Sequence, residues 1–153
     1  MIAQATLTSR ALLIRLLITG IASVLQVVTF ILAVWNVYSP STLGLDPATL
    51  SAISAVAAIS IFVMFMLGEV RYSEGGIVYS AIGFAMELVA AIYIRLPGSA
   101  ENMLWLAMFG SMIGLSIGIH SMVRLSCKLF VAWSQKAWAK VIGQDQQHVC
   151  ADS

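Results

Sequence analysis

The chain has 153 residues, of which 60% are hydrophobic and 10% charged, and its formal net charge is +1. Soluble domains carry about 25% charged residues, and a water-soluble fold of this size has no means of covering so much apolar surface. The composition excludes an ordinary soluble enzyme and points to one compact all-α membrane bundle with lipid as its solvent.

A spanning helix needs about 20 mainly apolar residues, because the hydrocarbon core is about 30 Å thick and each residue rises about 1.5 Å. Four stretches qualify. The first is predicted over residues 16–37, closed by Trp35 and Tyr38 as interfacial aromatics. Its apolar run exceeds the roughly 7–15 residues of a cleaved leader's core, so it is expected to stay as a signal-anchor. The segment after Tyr38 holds Pro40 and Gly44 and breaks the helix. The second span is predicted over 48–67, with Asp46 as N-cap and Pro47 at the first helical position. A short polar turn follows, with Glu69, Arg71, Glu74 and the pair Gly75-Gly76.

The third span is predicted over 77–96, stopped by Pro97-Gly98, and the fourth over 101–123. Short connections predict antiparallel neighbours in a four-helix transmembrane bundle. Beyond it, residues 125–142 read as a basic amphipathic helix. Lys128, Lys136 and Lys140 recur at multiples of four, and Trp133 and Trp138 accompany them. Such a helix is expected to lie on the inner leaflet, each lysine worth roughly 1 kcal/mol near anionic lipid. A solvated helical tail anchored by its tryptophans is the alternative. Residues 1–142 form the membrane domain on this reading, and 143–153 a polar, disordered tail.

Basic residues set the orientation. Arg10, Arg15, Arg71, Arg124, Lys128, Lys136 and Lys140 fall on one side of the predicted bundle, against Arg95 alone on the other. The positive-inside rule then places both termini in the cytoplasm. Cys127 and Cys150 fall on that reducing side, with no disulfide framework and no zinc spacing. Cys127, beside Lys128, is a candidate for palmitoylation.

Two constellations stand out. Gly110, Gly114 and Gly118 recur every four residues and define a stripe on which another backbone can approach closely. That stripe serves either packing inside the bundle or an interface with a second subunit. Glu87 lies near the middle of the third span, where an ionised carboxylate costs about 2.5–3.5 kcal/mol. Ser80, Gly83 and Ala91 share its face, so it is expected to point inward, toward Gln26, Ser60, Ser111 or Ser116. It reads as a proton or cation site, as an acid bonded to Gln26 that fixes helix register, or as a partner for a basic residue on another subunit. His120 reads as an interfacial histidine near Arg124, or less simply as a haem or quinone ligand.

No Gly-rich phosphate loop, nucleophile triad or glycosylation sequon is present, and nothing points to nucleic acid or to a bound cofactor. With four spans, short loops and both ends cytoplasmic, residues 10 to 142 resemble the layout of MARVEL-type and other small tetraspan membrane proteins. The paired outer-loop cysteines of claudins and tetraspanins are missing. The resemblance and the absence of chemical motifs imply a non-enzymatic membrane subunit or organiser, packed into a homo-oligomer or a larger membrane complex. A small channel or proton-coupled transporter using Glu87 is the alternative.

Overall fold

The computed structural model describes residues 9–39, 44–73 and 75–151, with side chains to residue 139. Its elements are α1 Ser9–Tyr38, α2 Pro47–Leu67, a 3-10 turn Val70–Tyr72, α3 Gly76–Tyr93 and α4 Ala100–Ala151. Four helices are long and apolar enough to cross a membrane. In lipid every backbone group must be bonded within the chain, which is why runs of this composition become helices.

The helices differ in length, and the difference shapes the molecule. α2 and α3, with 21 and 18 residues, are roughly 32 and 27 Å long and match a hydrocarbon core of about 30 Å. α1 and α4, with 30 and 52 residues, are roughly 45 and 78 Å long. Part of that surplus is shared. Leu12 of α1 is buried with Leu125 and Leu129 of α4, flanked by Leu16 and Ala132. Lys136 Nζ donates to Ser9 Oγ at 2.6 Å.

The structure moves four predicted boundaries. α1 is already helical at Ser9, the first described residue, well ahead of the predicted start at 16, and Leu12 there has a partner on α4. α4 does not stop at 123 and restart as a separate surface helix at 125; it runs unbroken through Arg124. The backbone is helical to Ala151, where composition predicts a polar tail from 143. The side chain of Lys140 and residues 152–153 lie outside the described residues. α3 ends at Tyr93 instead of 96. Pro97 disfavours helical geometry in the residue before it, and the Ser99 hydroxyl takes the terminal carbonyls of Tyr93 and Leu96 at 2.6 and 2.8 Å.

Large apolar side chains face outward. Leu17, Ile21 and Val24 on α1, Ile59 and Phe62 on α2, Ile82 and Ile92 on α3, and Ile119 and Val123 on α4 are all exposed. Alanine, serine and glycine fill much of the interior. Lipid tails are as apolar as leucine, so no hydrophobic drive pulls large side chains inward, and close backbone approach governs packing instead.

The turn between α2 and α3 is fastened to α4. Gly75 caps α3 with φ of +76°, a left-handed conformation that suits glycine. Glu69 is 3% exposed, and its carboxylate accepts from Lys128 Nζ at 2.6 Å. Lys128 remains half exposed, and its ammonium also lies 5.9 Å from the ring centre of Tyr72. At the opposite end of α2, Asp46 accepts from the Thr49 hydroxyl, which holds its carboxyl below the ordinary value.

Removing one member of the Glu69–Lys128 pair leaves a buried carboxylate without its partner. We expect Lys128→Gln to lower stability by about 1–3 kcal/mol and Lys128→Gln with Glu69→Gln to recover part of the loss. Thermal unfolding of the detergent-solubilised protein reads both, and equal stability of all three proteins would contradict the pairing.

Candidate functional site

The core is layered. One apolar cluster contains Ala22, Ile61, Met64, Val70 and Ile117; another contains Ala33, Ala90, Ala107 and Met108. Between them in sequence lie Gln26 on α1 and Ser111 on α4; Gln26 bonds the Ala57 carbonyl and Ser60 on α2, and Ser111 bonds Glu87 on α3. Helical periodicity puts them inward. Thr19, Ser23, Gln26, Thr29, Ala33 and Asn36 repeat at three and four residues on α1, and Ser80, Gly83, Glu87, Ala90 and Ala91 do so on α3; all of them face the interior.

Glu87 is fully buried. Ser111 Oγ donates to its Oε1 at 2.7 Å and lies equally close, 2.7 Å, to the Ala107 carbonyl. Glu87 Oε2 has no hydrogen-bond partner among the described residues. Gln26 is also fully buried. Its amide nitrogen donates to the Ala57 carbonyl at 2.8 Å and to Ser60 Oγ at 2.6 Å, while its Oε1 has no partner among the described residues. The predicted bond between Glu87 and Gln26 therefore does not form. Each side chain finds a different helix, Glu87 reaching α4 and Gln26 reaching α2.

Both rest against the glycine stripe. A methyl group added to Gly110 would lie 2.9 Å from Glu87 Cγ, one on Gly114 would lie 2.5 Å from the Gln26 carboxamide, and one on Gly118 would lie 2.3 Å from Ser23 Oγ. The stripe is thus buried inside the bundle, where it receives the polar side chains of α1 and α3. Each glycine presents a Cα–H where a side chain would stand, a weak donor toward the neighbouring oxygens. Going up α1 from Ser23 to Gln26, the contact on α4 steps down from Gly118 to Gly114.

The other predicted residues lie elsewhere. Ser60 belongs to Gln26, and Ser116 faces an outer cleft with His120. Lys128 and Lys136 are bonded to Glu69 and Ser9, while Trp133 and Trp138 are exposed. Among the described residues, no three His, Cys, Asp or Glu side chains cluster as metal ligands. Sequence reasoning missed the burial of Glu69, since its partner lies 59 residues away. It also missed that Gly110 seats Glu87; the one available signal was Gly110 beside Ser111 at the depth of Glu87. The chain matches no protein-family profile, no curated protein and no solved structure.

The seam makes a paired prediction. Gly114→Ala forces the confined Gln26 side chain to shift and is expected to cost about 1–3 kcal/mol. Gly20→Ala meets nothing closer than 3.9 Å, so it should be neutral or stabilising by up to about 1 kcal/mol. Unfolding midpoints in detergent check the pair; equal midpoints for the two variants would refute the close approach.

Proposed function

We propose that this protein is a non-enzymatic, multi-pass membrane subunit or membrane organiser. Its four helices run antiparallel to their neighbours, both termini lie in the cytoplasm, and it works as a rigid body assembling with copies of itself or with a larger membrane complex. The observation that carries this reading is the sealed seam. Where α4 meets Glu87, Gln26 and Ser23, no space remains for a methyl group. A conducting path needs room for water or an ion, and at this seam a single bundle offers none.

Glu87 then acts as a register element. Ser111 Oγ has one proton and two acceptors at 2.7 Å. A neutral carboxyl group brings a second proton to that pair, avoiding the desolvation of a charge. With the small and polar residues turned inward, the outer surface of large apolar side chains is left for lipid and partner helices. Exposed Trp133 and Trp138 and the basic end of the bundle favour contact with the inner leaflet.

One observation favours the transport reading. Glu87 Oε2 is buried without a partner, and an intramembrane acid of this kind is a common proton or cation site. Two measurements separate the readings. Particle mass and composition after gentle detergent extraction should show a homo-oligomer or a defined set of co-purifying proteins; a lone monomer would sink the assembly role. In proteoliposomes, proton and alkali-cation flux should be absent from the parent protein and from Glu87→Gln alike. Flux in the parent that Glu87→Gln abolishes would establish transport instead.

A further inference from the structure

A cleft of about 390 Å³ opens on the outer surface between α4 and the segment leading from α2 into α3. Its floor includes Val70 and Ile117, both buried, and Ser73 and Tyr79 face α4 across it. On α4 the cleft is lined by Met112, Ser116 and His120, all exposed. Spacing by four puts these three on one stripe, and Arg124, also exposed, is the next step on it. Along roughly 18 Å, the stripe changes from thioether to hydroxyl to imidazole to guanidinium.

The depth of that change is set by the core. Gly114 packs on Gln26, which bonds Ala57, the middle residue of α2. Arg124 lies ten residues further along α4, about 15 Å toward the basic end of the bundle. Half the hydrocarbon thickness is also about 15 Å. Arg124 therefore stands where hydrocarbon gives way to headgroups, His120 lies one turn, about 6 Å, inside that boundary, and Met112 stands within the acyl region. Lys128 and Lys136 nearby are engaged with Glu69 and Ser9, whereas Arg124 makes no ion pair among the described residues.

We propose that this cleft is a binding site for one anionic phospholipid, its acyl chain lying against Met112 and the Val70–Ile117 floor and its phosphate held between His120 and Arg124. A guanidinium matches a phosphate in charge and fork geometry, and the hydroxyls of Ser116 and Tyr79, which line the cleft, offer donors to the ester region between. The inference requires that the chain span the bilayer and is independent of the assembly role proposed above.

Native mass spectrometry of the full chain in detergent tests it, with dioleoyl phosphatidylglycerol and dioleoyl phosphatidylcholine titrated separately. The parent protein should retain one phosphatidylglycerol in preference to phosphatidylcholine. Arg124→Gln should weaken phosphatidylglycerol binding about fivefold, the equivalent of roughly 1 kcal/mol, and leave phosphatidylcholine unchanged. Ser116→Trp fills the cleft from an exposed position and should abolish the preference without lowering the unfolding midpoint. Lys136→Gln should have no effect on it. Equal retention of the two lipids, an undiminished preference in Ser116→Trp, or a loss in Lys136→Gln as large as in Arg124→Gln would each overturn the site. Bound lipid is read as a mass increment on a particle of any oligomeric state, so the outcome is separable from that of the assembly reading.

Discussion

Three glycines one turn apart leave α4 without side chains on the stripe where Ser23, Gln26 and Glu87 arrive. Most other packing features follow from that close approach. Because the backbone of α4 is bare there, polar side chains from α1 and α3 can lie flat against it instead of being held off by methyl groups. Because they lie flat, Glu87 is within reach of Ser111, while Gln26 is turned toward Ala57 and Ser60 on α2. One stripe thus fixes the relative height of four helices. Dispersion at short range and a few buried hydrogen bonds replace the hydrophobic drive that lipid does not supply.

The polar layer carries a cost that the apolar layers on either side contain. Unpartnered oxygens on Glu87 and Gln26 are buried in a medium where a lost hydrogen bond is expensive. They persist because the surrounding packing leaves them nowhere else to go. Such a layer discriminates among registers, since sliding α4 by one turn would bring Gly114 under Glu87 and move Ser111 away from it. The unequal helix lengths add to this. α1 and α4 continue together beyond the short helices, and Lys128 fastens the α2–α3 turn to that extension through Glu69.

Local features were legible because local physics sets them. The spacing of four between Gly110, Gly114 and Gly118 and the shared face of Ser80, Gly83 and Glu87 both follow from 3.6 residues per turn. Boundaries were misplaced where a remote contact sustains a helix or where a hydroxyl just beyond its end folds back on it. Leu12 is helical because Leu125 and Leu129 cover it, and the end of α3 depends on where the Ser99 hydroxyl folds back.

By itself the sequence determined the solvent, the number of spans and the inward face of α3 around Glu87, since hydropathy and periodicity are properties of a single segment. It left open the partner of every inward group. Glu87 and Gln26 are both buried polar residues near mid-span, and nothing local distinguishes a bond between them from bonds to separate helices. That choice belongs to the tertiary structure, which sets the height of one helix against another and so decided that Ser111 receives Glu87, Ser60 receives Gln26, and the glycines serve the inside of the bundle.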